Sequence, residues 1–364
     1  MNYLLELILA CMIRFILRFN LIWVGLTVLA YFAPYVRPSE FWLPMFLGLA
    51  YPCLVVGNVV FVGLWGFSRM KYWWISALTL LVGWNYLTAI FGLSFWEGRR
   101  SGTSLKIMTY NVNSLALESY KLKNNVPQGQ ADMDTFFRKQ GADILCLQEF
   151  CPYEACIKWQ LEKVPFLTTY PYHIRYEGNS VIIFSKYPID SSGILPINKN
   201  GGNGCTFADI LVGEKKMRVY SVHLQSNEVS GRADWVAEKG NLEERHTWAT
   251  IGRMLVSVRR FAKIRSREAD AVSEHVAESP YPVMVCGDFN DVPMSYTYYT
   301  MSKNLRDAFR ERARGFGVTY AGNIPGLKID YMLMDKKYRV ITNSIFKVPY
   351  SDHYPSVVEV TLGE

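Results

Sequence analysis

The sequence predicts a chain in two parts, a membrane segment of three transmembrane helices followed by an α/β or α+β sandwich of packed sheets with helices outside. Three observations lead there. The first hundred residues hold 7 of the 10 Trp but only seven basic and three acidic side chains, whereas residues 101–364 hold the other 32 basic and 29 acidic ones. From about residue 104, long apolar runs give way to short ones separated by turn residues. Helical periodicity beyond that point is confined to a few segments. The composition, 50% hydrophobic, 15% aromatic and 20% charged, excludes a disordered chain, a collagen-like repeat and a purely acidic or basic tail.

Within residues 1–100, three stretches lack any charged side chain: 19–36, 41–68 and 72–96. A helix needs about 20 apolar residues to cross the hydrocarbon core, so each stretch predicts one span. Trp23, Tyr35, Trp42, Trp65, Tyr72, Trp73, Trp74 and Trp96 stand near their ends, where amphipathic rings lie at headgroup level. Pro44 and Pro52 are tolerable because neighbouring helices can satisfy the backbone groups they free. Asn58 and Asn85 have two readings, a bond between helices or a local bond to backbone. Residues 1–18 read as an interfacial amphipathic helix ending in Arg14 and Arg18. A cleavable leader is the poorer reading, because Glu6 stands where a basic region belongs and two further spans follow. The basic flanks of the first span favour an N-terminus inside, which puts the C-terminal domain on the extracytoplasmic side. Five cysteines remain in that domain (Cys146, Cys151, Cys156, Cys205 and Cys286), an odd and irregular set that does not read as a disulfide framework.

In residues 101–364 the strand candidates are Leu105–Tyr110, Asp143–Gln148, Ser180–Phe184, Thr206–Val212, Arg218–His223, Val283–Cys286, Ile329–Met334 and Ser356–Thr361. Several do not alternate, as expected of strands covered on both faces. Gly201-Gly202-Asn203-Gly204 marks a turn between two of them. Asp132–Gln140 is a helix candidate. A longer one, about Leu242–Ile264, repeats apolar residues at Ile251, Met254, Leu255, Val258 and Phe261. The basic residues Arg245, Arg253, Arg259, Arg260, Lys263, Arg265 and Arg267 read as a solvated face, with phosphate or anionic lipid contact as the alternative.

The chain has no G-x-S-x-G elbow, phosphate-binding P-loop or dinucleotide fingerprint. Cys151 and Cys156 lack the His pair that a zinc site needs. What remains is acidic, amide and imidazole groups at the ends of apolar runs: Asn111 and Asn113 in KIMTYNVNS, Glu149 in DILCLQEF, His223 in VYSVHLQS, Asp288 and Asn290 in VMVCGDFND, Asp330 in LKIDYML, and Asp352 with His353 in YSDHYPS. Strands can deliver all of them to one edge of a sheet. Hard oxygen donors without Cys suit Mg²⁺, Mn²⁺ or Ca²⁺ rather than zinc. Singly, each has a plainer reading. Asp288–Asn290 could be a turn, His223 a satisfied structural histidine, and Asp352-His353 a surface pair. Asp330 inside an apolar run resists dismissal, since a buried carboxylate needs a partner.

In this order the blocks resemble the endonuclease/exonuclease/phosphatase superfamily, with members such as deoxyribonuclease I, abasic-site endonucleases, neutral sphingomyelinases and inositol polyphosphate 5-phosphatases. The resemblance runs from about Leu105 to Thr361, and the leader resembles that of bacterial membrane-anchored members with three spans. It implies a four-layer α/β/β/α sandwich over residues 101–364 and hydrolysis of phosphoesters with a divalent metal, Mg²⁺ or Mn²⁺. It further implies that Glu149 is the main metal ligand, assisted by Asn111 and Asp352. Asp288 orients or deprotonates the attacking water, and Asn290 holds it or steadies the phosphate. His353, oriented by Asp330, binds a phosphoryl oxygen, and His223 falls where some members place a second histidine.

Two departures bear on the substrate. Abasic-site endonucleases carry an acidic residue where this chain has Asn113, and GLKIDYM lacks the Arg-containing block of inositol phosphatases. The soluble part, with its net charge of only +3, lacks the basic footprint of a tight DNA binder. The expectation is a membrane-anchored phosphodiesterase with nucleic acid as leading substrate. A phospholipid or sphingolipid headgroup is the first alternative and an inactive membrane scaffold the second.

Overall fold

A computed structural model describes residues 2–100, 102–115, 126–151, 153–197, 203–227, 229, 232, 235–236, 239–241, 243–322, 324 and 326–362. The expected turn at Gly201 and Gly202 and the expected helix start at Leu242 lie outside the described residues.

The chain opens with α1 (Asn2–Ala30), α2 (Leu43–Leu49), α3 (Tyr51–Phe67), α4 (Trp73–Val82), α5 (Trp84–Ile90) and a short strand, β1 (Phe91–Leu93). Helix α1 runs through residues 2–18 without a break, so no separate interfacial helix precedes the first span. The segment Leu5–Tyr35 is the one helix among the described residues long and apolar enough to cross a membrane. The second and third stretches are bent, by 60° between α2 and α3 and by 70° between α4 and α5; each pair passes the same test only when taken as one span. The first bend has a direct cause. Pro52 lies in the first turn of α3, and its ring and missing N–H oppose continuation of the helix that precedes it. The third stretch ends as helix at Ile90 and becomes a strand, because β1 pairs with β11 (Arg314–Phe316) of the following fold.

Beyond residue 103 come β2 (Ser104–Asn111), α6 (Val126–Gln140), β3 (Ile144–Gln148), α7 (Glu154–Lys163), β4 (Tyr172–Ile174), β5 (Ile182–Ser185), β6 (Ile189–Leu195), β7 (Gly204–Val212) and β8 (Lys215–His223). A long helix, α8 (Arg245–Ala277), leads to β9 (Val283–Asp288), α9 (Tyr296–Ser302), β10 (Arg306–Asp307) and α10 (Ala308–Arg312). After β11 the chain finishes with β12 (Asp330–Met334), β13 (Tyr338–Ile345) and β14 (Ser356–Leu362). One six-stranded sheet has the order β10-β12-β9-β8-β7-β6 and the other β13-β14-β2-β3-β5-β4. Each has one parallel pair at its centre, β8/β9 and β2/β3, flanked by antiparallel neighbours.

The inner faces of the two sheets meet in a core that includes Leu105, Ile107, Ile144, Cys146, Met217, Val219, Met284, Cys286, Met332 and Val358. The outer face of one sheet packs Met108, Tyr110, Leu145 and Phe184 against Met133, Phe137 and Ile157 of α6 and α7. The outer face of the other packs Tyr220, Val285 and Leu333 against Ala269, Val272 and Tyr298 of α8 and α9. The architecture is therefore the four-layer α/β/β/α sandwich. It explains why the strands resist simple alternation, since both faces of each sheet are covered.

Every central strand changes character along its inward-facing residues, which recur at every second position. The inner row of β2 reads Leu105, Ile107, Thr109, Asn111, and that of β8 reads Met217, Val219, Ser221, His223. In β3 it reads Ile144, Cys146, Gln148; in β9, Met284, Cys286, Asp288; and in β12, read backwards, Met334, Met332, Asp330. One end of the inter-sheet space is thus apolar, and the other is lined with acceptors and donors.

The N-terminal helices pack directly on the sandwich. Met294, six residues past Asp288, joins Ala30, Tyr31, Tyr51 and Leu54 in one apolar cluster. Gly48 permits that contact, because a Cβ there would lie 2.2 Å from the Met294 carbonyl oxygen. The Tyr35 and Tyr299 rings meet edge to face at 4.7 Å, and Arg37 pairs with Asp270. Asn85 accepts from Arg310, so it bonds into the sandwich, whereas Asn58 bonds both Thr27 of α1 (2.8 Å) and its own helix at Leu54 (2.9 Å).

Candidate active site

The register of the strands assembles the site. His223 pairs with Asp288 across β8/β9, and Asp288 with Asp330 across β9/β12. Residues paired across a ladder point to the same face about 5 Å apart, so these three side chains form one row facing the opposite sheet. Asn111 ends β2, Glu149 follows β3, and Asp352 and His353 sit in the loop entering β14.

Hydrogen bonds join the two halves. Asn111 Nδ2 donates to Glu149 Oε1 at 3.0 Å and to Asp288 Oδ2 at 3.1 Å. His353 Nδ1 lies 3.0 Å from Asp330 Oδ2, which leaves Nε2 3.7 Å from Asp288 Oδ2. His223 Nε2 is 3.6 Å from Glu149 Oε1 and 3.8 Å from Asp288 Oδ2. The Asn290 backbone N–H donates to Asp288 Oδ1 at 2.8 Å, and its Nδ2 donates to the Leu224 carbonyl at 3.0 Å. Asp352 reaches the group indirectly: Asn113 Nδ2 donates to Asp352 Oδ1 at 3.0 Å, while the Asn113 N–H donates to Asn111 Oδ1 at 3.1 Å. The residues singled out in the sequence therefore all converge at one end of the sandwich.

Backbone conformation helps to aim them. Glu149 and Asn290 have φ of +51° and +53°, a region costing about 1 kcal/mol or more for a residue with a Cβ; such outliers gather at functional sites. Gly287, at φ +146°, lets β9 reach β8, because a Cβ would lie 1.9 Å from the Val222 carbonyl oxygen.

Burial sets the electrostatics. Asp288 is almost wholly buried, and burial pushes its carboxyl up to about 6, with His353 opposing the rise and Asp330 adding to it. For His353, burial pulls the imidazole down, but Asp330 and then Asp288 outweigh it and raise the group to about 10. The two carboxylates therefore favour the protonated form of His353. Asp288, Asp330 and His353 offer ligand-type atoms within 4.8 Å of one another; with the imidazole in the protonated form its carboxylate neighbours favour, the trio reads as a carboxylate–imidazole–carboxylate relay. The carboxylates of Glu149, Asp288, Asp330 and Asp352 pair with no Lys or Arg among the described residues. Both ring nitrogens of His223 and Asp330 Oδ1 are buried without a hydrogen-bond partner there. A surplus of negative charge, hard oxygen donors and orphaned polar atoms fit a hard divalent cation. Glu149, whose side chain is 35% exposed, stands at the mouth.

Several supporting residues were not singled out in the sequence. Ser351 Oγ donates to the Asn111 carbonyl at 2.8 Å and lies 3.2 Å from Asp352 Oδ1. Gln148 Nε2 spans the sheets to Ser221 Oγ at 3.1 Å. Arg265, expected on a solvated face, is instead fully buried. It donates to the Gln225 carbonyl (3.1 Å) and to Asn227 Oδ1 (2.7 Å), and it pairs with Asp291 (3.2 Å). Its signal was position, four residues after Phe261 and four before Ala269 on the packed stripe. Cys151 and Cys156 are paired as a disulfide just past Glu149, a single bond where the irregular set of cysteines did not read as a disulfide framework, and their Cα atoms lie 6.0 Å apart.

The four-layer sandwich with paired carboxylates and imidazoles at the polar end of its inter-sheet space is the arrangement that the sequence resemblance implies. Comparison with known proteins agrees: residues 108–353 match the model of the Endonuclease/Exonuclease/phosphatase family, and the chain belongs to that family. Residues 13–90 match a domain of unknown function. No curated protein matches the chain. Among solved structures, the fold is similar to an endonuclease/exonuclease/phosphatase from Bacteroides vulgatus (18% identity, TM-score 0.53, covering 72% of this chain and 100% of that one). It is also similar to a mannosyl-6-phosphatase from Bacteroides thetaiotaomicron (14%, TM-score 0.52, 71% and 99%). A third similar structure is D. rerio TDP2 complexed with single strand DNA product (15%, TM-score 0.50, 71% and 100%).

Proposed function

We propose that the chain is a divalent-metal-dependent phosphodiesterase, its catalytic domain (residues 101–364) held at a membrane by residues 1–100, with nucleic acid as the first substrate class. The observation that carries the hydrolytic reading is the Asp330–His353–Asp288 relay beside the orphaned His223. Glu149, Asn111 and Asp352 would hold Mg²⁺ or Mn²⁺, which supplies charge neutralisation on the phosphoryl oxygens and acidifies bound water. Asp288, with a carboxyl pushed up to about 6, is ionised but close to its own titration at neutral pH, which suits proton abstraction from water. Its Oδ1 is held by the Asn290 N–H and its Oδ2 by Asn111, so its orientation is set before substrate arrives. The imidazolium of His353, fixed through Nδ1 by Asp330, presents Nε2–H to a phosphoryl oxygen where negative charge builds. His223 offers a second imidazole beside the same oxygen.

A lipid headgroup is the second reading, and one observation favours it. Asp288 ends β9, and the loop that follows it carries Asn290 and continues into Met294, which is packed among α1 and α3, so a residue pair in the site is tied to the membrane segment over six positions.

The deciding experiment gives the full-length protein single-stranded DNA, plasmid DNA and phospholipid vesicles in parallel, each with and without chelator. Chelator-sensitive DNA cleavage supports the first reading, and turnover confined to vesicles replaces it with the second. Failure on every phosphoester with Mg²⁺ or Mn²⁺ present leaves an inactive membrane scaffold as the remaining account.

A further inference from the structure

Helix α8 has two halves of different character. Its second half belongs to the sandwich: Phe261, Ala262, Arg265, Ala269 and Val272 are buried. Before Phe261 only Thr247 and Thr250 are buried, and the first half extends past the core. Between Arg245 and Lys263 the sequence places Arg245, Arg253, Arg259, Arg260 and Lys263 and no acidic residue.

At 100° per residue the exposed positions 245, 246, 248, 249, 252, 253, 255, 256, 259 and 260 fall on one side of the helix. That side is not simply charged. Trp248, Leu255 and Val256 are 57%, 48% and 69% exposed among the arginines. A solvated face has no need of three large apolar side chains, and a protein core has no place for four arginines. The mixture is that of a helix lying in a membrane interface, its apolar groups sunk to the headgroup–acyl boundary and its cations at headgroup level.

Location identifies the occupant. The Arg259 guanidinium sits 4.8 Å over the ring of Trp42, just before α2, and Asp270 further along the helix pairs with Arg37. The exposed face of α8 therefore meets the N-terminal segment at Trp42, one of the aromatic residues that the sequence places at headgroup level.

We propose that the Arg245–Arg260 half of α8 is a second membrane contact, lying on the same bilayer that α1 crosses, with its arginines on anionic phospholipid headgroups and Trp248, Leu255 and Val256 inserted beneath them. The inference rests on α1 crossing that bilayer and is independent of which substrate the site takes. It gives the catalytic fold two attachments to the lipid surface, at the N-terminal helices and at α8.

The test is amide hydrogen exchange of the full-length protein in lipid nanodiscs. Exchange over residues 245–260 should slow about tenfold or more in discs of phosphatidylcholine with phosphatidylglycerol, relative to phosphatidylcholine alone, and high salt should reverse it. Arg253→Glu with Arg260→Glu should abolish the slowing, Arg253→Lys with Arg260→Lys should retain it, and Trp248→Ser with Val256→Ser should weaken it, with β2 and β9 protected throughout. Equal exchange of the wild-type segment in both discs overturns the proposal, and that comparison needs no variant to fold. Slowing produced only by added single-stranded DNA also overturns it and assigns the face to nucleic acid. Failure of the chain to enter discs at all overturns the membrane reading beneath it.

Discussion

Replacing Arg265 with Met removes a buried cation while keeping much of its volume, and the structure sets the expected size of the effect. Arg265 bridges two loops that flank the site: Gln225–Asn227 after β8, through a carbonyl and a side-chain oxygen, and Asp291 after β9, through an ion pair at 3.2 Å. Breaking a buried pair by deleting one partner costs about 3–5 kcal/mol, because the other charge is stranded. Asp291 keeps the Thr297 hydroxyl at 2.8 Å and is 15% exposed, so water can recover part of the loss and the lower end, about 3 kcal/mol, applies. For a fold of this size that is a fall in Tm of about 6–12 °C. Asn290 lies between Asp291 and Asp288, and its Nδ2 holds the Leu224 carbonyl of the other loop. Loosening that junction by about 1 Å should lower kcat roughly 100-fold with a smaller change in KM. Thermal unfolding of the full-length protein and steady-state hydrolysis of a chromogenic phosphodiester read the two quantities. Adding Asp291→Asn should cost less than the sum of the single changes. An Arg265→Met protein with unchanged Tm and kcat would refute the view that this arginine positions the site.

Two further outcomes follow from charge. Asp330→Asn removes the main partner raising His353; the imidazolium is then lost at lower pH, so the alkaline limb of kcat should move down from near 10 and kcat at neutral pH should fall about 100-fold. A pH profile that keeps its alkaline limb in the variant would contradict the relay. Glu268 is raised to about 7 by burial, against the opposing Gln225 N–H and Arg265. Its folded form holds the proton more tightly than the unfolded chain, so its contribution is fully present below about pH 4.5 and is lost as pH rises through about 7, some 3 kcal/mol in all. Glu268→Gln should flatten the decline of Tm over that window, and an equally steep decline in the variant would remove Glu268 as its source.

The strands that carry the site were legible because each apolar run gives way to polar groups at one end, such as Thr109 and Asn111 after Leu105 and Ile107. All eight strand candidates coincide with strands of the two sheets, and the four-layer arrangement follows the resemblance. Strands β4, β6, β10 and β13 escaped notice since edge strands such as β6, with exposed Asp190 and Ser191, carry no sustained apolar pattern. Arg265 was misplaced because a basic run hides the one member that turns inward. The kink at Pro52 was not foreseen because the apolar run passes unbroken through it, and the Cys151–Cys156 bond because spacing alone does not show that two thiols face each other. The contact between Met294 and the N-terminal helices has no sequence signal at all, being a matter of tertiary packing.

The most direct measurement of the central claim is hydrolysis of a chromogenic phosphodiester by the full-length protein, titrated with Mg²⁺ and Mn²⁺ after chelation, beside Asp288→Ala and His353→Ala. The account predicts turnover that appears only with divalent cation and falls at least about 100-fold in both variants. Turnover that ignores chelation, or that persists undiminished in both variants, would contradict it.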